Sequence, residues 1–178
     1  MTIAGAPVVL RTLADCPPNE HPSAPEETGR TFAENARLKA LYYAKATGLL
    51  TVAEDSGLEI DALGGAPGIE SARFGGERSS YPEKFALIYK ALASRESAAR
   101  FVCALAVADG SRILFEARGT IEGSIAPEPR GEGGFGYDPI FFYPPFGCTL
   151  AEAGARKSTV SHRGAAFRQL RTFLEKFR

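Results

Sequence analysis

The sequence predicts an α/β domain with a mixed β-sheet flanked by helices. Two segments begin with a capping box, at Thr31 and at Ser80, and continue with apolar residues at helical spacing. Further along the chain, two apolar segments are separated by the turn dipeptide Asp109-Gly110, which is typical of a β-hairpin. Helices and strands in this order do not alternate strictly, so a mixed sheet is expected rather than a doubly wound parallel one.

Three helices are predicted. The first begins after Thr31, where Glu34 completes the capping box, and it ends at Gly48. The second begins after Ser80 with a capping box of the same spacing, and the third begins at Ser161. The apolar face predicted for the third helix comprises Ala166, Phe167, Leu170, Phe173, Leu174 and Phe177.

Strands are predicted as short apolar segments, at residues 8–12, 49–53, 58–63, 101–108, 112–118 and 139–143. Residues 119–125 either continue the second arm of the hairpin or pair beyond it. Glu54 and Asp55 follow the segment 49–53, so two carboxylates are predicted at a strand end, where α/β sheets usually bind ligands. Residues 17–25 are proline-rich and are expected to form an irregular connector, in which His21 is a solvated loop residue.

The bulk composition favours a single domain over residues 1–178, built as one body or as two small lobes around a shared sheet. Lys plus Arg and Asp plus Glu number 21 each, which argues against binding to a nucleic-acid polymer or to an anionic membrane. Cys16, Cys103 and Cys148 are far apart, so neither a disulfide framework nor a zinc site is expected. No apolar run approaches the ~18 residues of a membrane-spanning helix, and a cytoplasmic protein with a small-molecule ligand is expected.

Residues 133–142 read GGFGYDPIFF, a glycine cluster that leads into an apolar strand. The glycines let backbone N–H groups approach a bound group closely, while Phe135 and Tyr137 offer flat surfaces and Asp138 a charge. These features suit a nucleotide, and the alternative is a glycine-rich turn before a buried strand. The segment also matches GxGxxG from Gly131, but a strand follows it where a dinucleotide site needs a helix.

Glu54 and Asp55 are adjacent carboxylates, and a hard cation such as Mg²⁺, held also by substrate phosphates, would relieve their repulsion. The alternative is a solvated acidic turn that includes Ser56. Glu26 and Glu27 precede the first helix, where they either add ligands to the same ion or favour the positive N-terminus of that helix.

Lys157, His162 and Arg163 cluster where the last helix begins. Cations at a helix N-terminus cost stability unless an anion such as a phosphate joins them, so this cluster is a candidate phosphate or purine-edge site. Exposed basic residues at a helix end are the alternative. Neither histidine of the chain has a neighbouring nucleophile elbow, which argues against triad catalysis.

Four segments together resemble the inosine triphosphate pyrophosphatase family: EETGRTFAENARLKA at 26–40, AEDSGLEIDALGGAPGIESARF at 53–74, GGFGYDPIFF at 133–142 and KSTVSHRGAA at 157–166. They occur in the order that the family has. The resemblance implies a fold of the inosine triphosphate pyrophosphatase type and a homodimer. It also implies Mg²⁺-dependent hydrolysis of non-standard purine nucleoside triphosphates, such as ITP, dITP and XTP, to the monophosphate and pyrophosphate.

The resemblance further implies a role for each matched residue. Asp55 would be the general base and a metal ligand, Glu27 would be a second metal ligand, and Ser56 would contact the substrate. The residues expected to hold the base are Phe135, Gly136, Tyr137 and Asp138, and those expected to complete the nucleotide pocket are Lys157, His162 and Arg163.

Two features depart from the family pattern. Family members begin with a strand, a Ser/Thr-x-Asn-x-x-Lys loop and a helix, a unit of about twenty residues that is not recognised before residue 8. The expected reason is a start assigned too late, and the alternatives are a degenerate relative or a unit supplied by another chain. Glu54 stands where the bacterial pattern usually has Asp. The rival expectation is a catalytically impaired nucleotide-binding or interaction protein that retains the base pocket.

Overall fold

The structure, a computed structural model, describes residues 2–3, 6–7, 9–16, 22–93 and 96–176. Its strands are β1 (Thr2–Ile3), β2 (Ala6–Pro7), β3 (Thr51–Ile60), β4 (Ala98–Asp109), β5 (Arg112–Ile125), β6 (Phe141–Tyr143) and β7 (Cys148–Thr149). Its helices are α1 (Phe32–Thr47), α2 (Tyr81–Ala91), α3 (Lys157–Val160) and α4 (His162–Lys176).

A five-stranded sheet in the order β3-β4-β5-β6-β7 forms the centre of the fold, and β1 pairs with β2 separately. β4 and β5 form the predicted hairpin, and β5 continues as one strand as far as Ile125. The predicted α/β class with helices around a sheet is confirmed. Every strand pair among the described residues is antiparallel, so the parallel pairs expected of a mixed sheet are not found there, because each strand pairs with the next one along the chain.

The helix starts predicted at Thr31 and Ser80 are confirmed. Thr31 Oγ1 accepts the N–H of Glu34 at 3.2 Å, and α1 ends at Gly48 in the left-handed conformation. At α2, the N–H and the hydroxyl of Ser80 donate to Glu83 Oε2 at 2.7 and 2.8 Å. None of the helices in the described part of the chain combines the length and the apolar character that a bilayer crossing requires.

The two strands predicted at 49–53 and 58–63 form one continuous strand, β3. Glu54 and Asp55 therefore lie inside a strand, and the prediction that they lie at a strand end is wrong. The three residues that begin with Asp55 are turn-forming types, yet each pairs in register with a residue of β4. Pairing along the whole edge of β4 outweighs this local turn propensity.

Three other boundaries differ from the prediction. Residues 9–12 are not in a strand, and β6 begins only at Phe141 because Pro139 lies in a 3₁₀ turn, where its missing N–H costs no ladder hydrogen bond. The last helix begins at His162 and follows the separate short helix α3. Val8, His21 and Phe177, which also entered the predictions, lie outside the described residues.

α1 and α4 pack on opposite faces of the sheet. Side chains at even positions of β4, such as Ala104, contact α1, whereas side chains at odd positions, such as Leu105, contact α4. Successive residues of a strand face opposite sides, so Asp55 faces α1 while Glu54 and Ser56 face α4. Among the described residues β3 is the outer strand of this sheet, and its outer edge, which Pro67 bridges at Glu59, lies between the two faces.

Candidate active site

A group of charged and polar side chains, called here the carboxylate cluster, lies where α1 faces β3. Lys39 Nζ donates hydrogen bonds to Asp55 Oδ1 and to Glu27 Oε1, each at 2.9 Å. Asn35 Nδ2 donates to Asp55 Oδ2 at 3.2 Å, and Arg73 Nη1 donates to Glu27 Oε2 at 3.2 Å. Both oxygens of Asp55 are thus held, and Lys39 connects Asp55 to Glu27.

The local fold fixes the segment that contains Glu27 against α1. Asn35 and Lys39 are four residues apart, so both project from the side of α1 that faces β3. Asn35 is fully buried, and its Oδ1 accepts the N–H of Gly29 at 2.8 Å. A Cβ at position 29 would lie 2.5 Å from this oxygen, so only glycine permits so close an approach.

Opposite charges dominate the electrostatics of the cluster. Burial on its own would raise the pKa of Glu27, but the hydrogen bonds and charges of Lys39 and Arg73 hold that pKa below its ordinary value. Burial on its own would lower the pKa of Lys39, but its hydrogen bonds to Asp55 and Glu27 raise that pKa above its ordinary value. Glu27 and Lys39 are therefore both charged at neutral pH.

The predicted metal ligands Glu27 and Asp55 converge on one point, since each places an oxygen 2.9 Å from Lys39 Nζ. In the part of the chain that the structure describes, no group of three or more His, Cys, Asp or Glu side chains is arranged to hold a metal ion. Two carboxylates completed by substrate phosphates are a common ligand set for Mg²⁺, and Glu27 and Asp55 are donors of that type, with the Lys39 ammonium between them in this structure. Glu26 is exposed on the segment before α1.

On the opposite face of β3, Arg163 is paired with two strand side chains. One of its terminal nitrogens lies 2.9 Å from Glu54 Oε1 and donates to Ser56 Oγ at 3.0 Å. The second oxygen of Glu54 accepts a hydrogen bond from the Cys103 thiol at 3.4 Å, and burial raises the pKa of that thiol to about 12. Glu54 therefore orients Arg163 and does not share a cation with Asp55, which corrects the prediction for the adjacent carboxylates.

Two cations at the start of α4 are paired with carboxylates. The prediction that they need a bound anion to offset their cost in stability is therefore wrong. Arg163 is neutralised by its β3 partner, and Lys157 forms an ion pair with the buried Asp138. His162 is buried and stacks on Phe101, with ring centres 5.0 Å apart. Burial, assisted by the charge of Arg163, lowers the pKa of His162 to about 4, so this ring is neutral at pH 7.

The glycine loop, defined as residues 133–138, holds an exposed aromatic ring beside two cations. Phe135 is 59% exposed, and its ring centre lies 4.3 Å from Lys157 Nζ and 5.2 Å from Arg163 Cζ. Asp138 accepts a hydrogen bond from the N–H of Phe135 at 2.7 Å and another from the ammonium of Lys157. The loop thus presents a fixed, flat surface on which a planar base can stack.

Gly136 and Tyr137 of the same loop have different surroundings. Gly136 has a φ of 68°, in the left-handed region that glycine adopts without strain. Tyr137 is 4% exposed, its hydroxyl donates to the Ser71 carbonyl at 2.7 Å, and its ring packs edge-on against Tyr81. The Tyr137 side chain supports the loop from its buried side, and a substrate contact by Gly136 or Tyr137 stays a prediction.

The predicted site residues form two groups on either side of β3. Asp55 and Glu27 belong to the carboxylate cluster, whereas the second group surrounds the glycine loop and the start of α4. The members of this second group are Ser56, Phe135, Gly136, Tyr137, Asp138, Lys157, His162 and Arg163. Because Asp55 and Ser56 are consecutive in β3, the two groups lie back to back on opposite faces of this strand.

Sequence reasoning missed three members of the carboxylate cluster: Asn35, Lys39 and Arg73. Asn35 and Lys39 interrupt the buried, alanine-rich face of α1 at a spacing of four residues, which is the signal that could have found them. Arg73 lies in the loop before α2 and contacts Glu27, 46 residues earlier. No local pattern predicts that contact.

Comparisons with known proteins agree over most of the chain. The Ham1 family profile matches residues 3–173. A dITP/XTP pyrophosphatase of Thermus thermophilus is 51% identical over 151 residues, which cover 82% of this chain and 72% of that protein. A dITP/XTP pyrophosphatase of Gloeobacter violaceus is 51% identical over 149 residues, which cover 83% of this chain and 75% of that protein.

Solved structures share the fold. A HAM1 protein from Coxiella burnetii superposes with a TM-score of 0.81 at 42% identity, covering 86% of this chain and 81% of that one. The Ham1 protein of Staphylococcus aureus superposes with a TM-score of 0.80 at 42% identity, covering 85% of this chain and 80% of that one. Matched in profile from residue 3 to residue 173 and in fold by two solved members, the chain belongs to the Ham1 family.

Proposed function

We propose that the protein hydrolyses non-standard purine nucleoside triphosphates, such as ITP, dITP and XTP, to the monophosphate and pyrophosphate. The relatives from Thermus thermophilus and Gloeobacter violaceus, each 51% identical to it, are named dITP/XTP pyrophosphatases, which supports this proposal. The main structural support comes from two adjacent residues of β3. Asp55 contacts Lys39 on one face of the strand, and Ser56 contacts Arg163 on the other. A nucleotide across the outer edge of β3 would place its phosphates at the carboxylate cluster and its base at the glycine loop.

Asp55 is the proposed general base. In the proposed reaction a water oxygen attacks the α-phosphorus, the phosphoanhydride bond between the α- and β-phosphates breaks, and pyrophosphate leaves while the water proton passes to Asp55. Lys39 and Asn35 each hold one oxygen of Asp55, which fixes the direction in which the carboxylate accepts the proton of that water. Lys39, whose raised pKa keeps it cationic, is also placed to offset the negative charge of the departing pyrophosphate.

Glu27 and Asp55 are the proposed holders of a Mg²⁺ ion. When bound, this ion would polarise a phosphoryl oxygen and offset the charge of the triphosphate. Arg73 and Lys39 keep Glu27 charged and fix both of its oxygens, so its carboxylate is oriented before a substrate arrives. A chelator should abolish the release of pyrophosphate from dITP, and added MgCl₂ should restore it.

The second group is proposed to select the base. Phe135 would stack on the purine, while Glu54 and Ser56 hold the guanidinium of Arg163 beside that ring. A 6-keto purine carries an acceptor where adenine carries an amino donor. A site that presents donors to that edge therefore favours the 6-keto base, because adenine would leave those donors unpaired.

Pyrophosphate release from dITP by the Asp55→Asn variant tests the assignment. Loss of the proton acceptor should lower kcat at least about a hundredfold. Asp61→Asn is the matched control, because Asp61 lies beyond the end of β3 and pairs with Arg100 at 2.8 Å. It should keep the wild-type rate.

Two outcomes would count against this proposal. A wild-type rate in Asp55→Asn would remove Asp55 from the mechanism. Binding of IMP in calorimetry without release of pyrophosphate from ITP would favour the rival function, a nucleotide-binding protein without turnover. The homodimer and the cytoplasmic location stay predictions, and sedimentation equilibrium would test the first of them.

A further inference from the structure

Three consecutive residues, the 71–73 segment, contact both groups of the site. The Ser71 carbonyl accepts the Tyr137 hydroxyl of the glycine loop at 2.7 Å. The Ala72 carbonyl accepts the ammonium of Lys84, on α2, at 2.6 Å. Arg73 reaches Glu27 of the carboxylate cluster at 3.2 Å. The segment therefore joins the glycine loop to a proposed metal ligand.

The 71–73 segment is packed directly on β3. Ser71 is 6% exposed, and its Oγ accepts the N–H of Leu58 at 2.9 Å and donates to the Gly68 carbonyl at 2.6 Å. A Cβ at Gly57 would lie 2.3 Å from this Oγ, so strand and segment are in close contact. Displacing the segment would break buried hydrogen bonds, so it responds to the glycine loop as one unit.

Buried side chains fix the segment from the side of α2. Tyr137 and Lys84 are only 4% and 3% exposed. The ring of Tyr81 contacts both, because it packs edge-on against Tyr137 and its centre is 4.9 Å from Lys84 Nζ. A movement of the glycine loop at residue 137 therefore changes the contact with the Ser71 carbonyl.

Arg73 fixes the direction of the Glu27 carboxylate. Its Nε and one terminal nitrogen donate to the two oxygens of Glu70 at 3.2 and 3.4 Å, which leaves the other terminal nitrogen for Glu27. Because Lys39 binds the second oxygen of Glu27, the carboxylate is held from two sides. Without Arg73, the contact with Lys39 would be the one that still orients it among the residues that the structure describes.

We propose that the 71–73 segment couples occupancy of the glycine loop to the position of Glu27. Arg73 is the positioning residue for that carboxylate, and the Tyr137 hydroxyl is the contact through which the loop acts on the segment. The inference rests on the proposed function, because it requires a nucleotide base at the glycine loop. Base binding then stabilises the segment against opening, and the segment keeps Glu27 in place for the phosphates.

Amide hydrogen exchange of residues 68–74, measured without metal and with or without IMP, tests the coupling. The amides of Glu70, Ser71 and Arg73 donate hydrogen bonds to carbonyls three residues earlier, so they report opening of the segment. In the wild type, IMP should slow their exchange about tenfold, the effect of about one buried hydrogen bond. In Tyr137→Phe, which lacks only the hydroxyl, IMP should leave their exchange unchanged.

Tyr89→Phe is the matched control for the exchange experiment. It also deletes a tyrosine hydroxyl that donates to a backbone carbonyl, that of Ala126 at 2.9 Å. This contact lies outside the 71–73 segment, so the response to IMP should stay as in the wild type. A purely structural role of the Tyr137 hydroxyl would speed exchange with and without IMP alike and would leave the IMP effect intact.

Steady-state kinetics separate positioning from binding. Arg73→Gln should lower kcat for dITP about tenfold and leave KM within about twofold, because the base contacts are untouched. Arg37→Gln is its control: it breaks an ion pair with Glu116, at 2.5 Å on the surface, and should change neither constant. Adding Tyr137→Phe to Arg73→Gln should lower kcat no further, because both changes act through one segment.

Equal protection of residues 68–74 by IMP in the wild type and in Tyr137→Phe would overturn the coupling. Losses of kcat that multiply in the double variant would overturn it as well. Failure of the wild type to bind IMP would overturn both the coupling and the base site of the proposed function. Normal IMP binding and pyrophosphate release without IMP-dependent protection would overturn the coupling alone.

Discussion

At the scale of single residues, Lys39 balances the charges of the carboxylate cluster. It lies between Glu27 and Asp55, and only 18% of its side chain is exposed. Removing one member of a buried charge pair leaves the other charges uncompensated, which costs more than the pair contributes when intact. The cluster therefore depends on this lysine for its stability as well as for the orientation of Asp55.

Lys39→Met should lower both stability and turnover. With two carboxylates left facing each other, the free energy of unfolding should fall by about 1–3 kcal/mol. Because Asp55 loses the partner that orients it, kcat for dITP should fall at least about tenfold. Urea unfolding and a pyrophosphate assay measure the two effects. Lys45→Met, on an exposed position of the same helix, is the control, and equal stability of the two variants would contradict the charge balance.

His162 gives the protein a specific dependence on pH. Its pKa is lowered to about 4 by burial, whereas the unfolded chain protonates this ring near 6.5. The stabilising contribution of the neutral ring is complete above pH 6.5 and is lost as the pH falls towards 4. Between pH 7 and pH 5 the lost contribution is about 2 kcal/mol.

His162→Phe should remove that part of the pH dependence while keeping a ring stacked on Phe101. The free energy of unfolding, measured at pH 7 and pH 5, should fall by about 2 kcal/mol more in the wild type than in the variant. His21→Gln changes the only other histidine and should behave as the wild type. If the free energy of unfolding changed with pH by the same amount in the wild type and in His162→Phe, the ring would not be held neutral.

Local signals explain which residues of the site could be predicted. Asp55 and Arg163 lie in motifs that a family resemblance recognises, so they were named from the sequence. Arg73 also lies in such a motif, at 53–74, but its role was not predicted, because only the folded chain brings its partner Glu27 near it. The buried, neutral state of His162 also depends on packing against β4, which its neighbours in sequence do not reveal.

At the scale of secondary structure, the helix starts were predictable and the course of β3 was not. A capping box such as Thr31 with Glu34 acts within one turn, so its effect can be read locally. β3 stays extended through Glu54 and Gly57 because β4 pairs with all of it, which is a long-range effect. The consequence is functional, because a continuous strand puts Asp55 and Ser56 on opposite faces.

The contact of α4 with β5 depends on Gly119. A Cβ at this position would lie 2.1 Å from the His162 carbonyl and 2.7 Å from the N–H nitrogen of Ala166, and both of these are backbone atoms. Gly119→Ala should therefore push the first turn of α4 away from the sheet and lower the free energy of unfolding by about 1–3 kcal/mol. Chemical denaturation measures this change.

Gly164→Ala is the matched control for this contact. A Cβ at Gly164 would have as its nearest atom the flexible end of Arg168, at 3.2 Å, so the same substitution on α4 meets little resistance. It should leave stability unchanged or raise it by up to about 1 kcal/mol, because alanine favours the helix over glycine. Equal effects of the two substitutions would contradict the close packing of α4 on β5.

At the scale of the whole molecule, the sheet edge organises the site. Among the described residues β3 is the outer strand, α1 packs on one of its faces, Arg163 of α4 reaches the other, and the two groups of site residues meet at its outer edge. The α/β class followed from the order of local patterns, but the antiparallel arrangement of the sheet did not, because it is set by pairing between distant segments. This arrangement supports the proposal that one nucleotide spans both groups.

The most direct test of the central claim is the ratio of kcat/KM for pyrophosphate release from dITP to that from dATP, measured on the wild-type chain with Mg²⁺. The two substrates differ at the base edge and share the triphosphate, so the ratio isolates the base-selecting group. A site with donors matched to a 6-keto purine predicts a ratio of at least about a hundred. A ratio near one would contradict it.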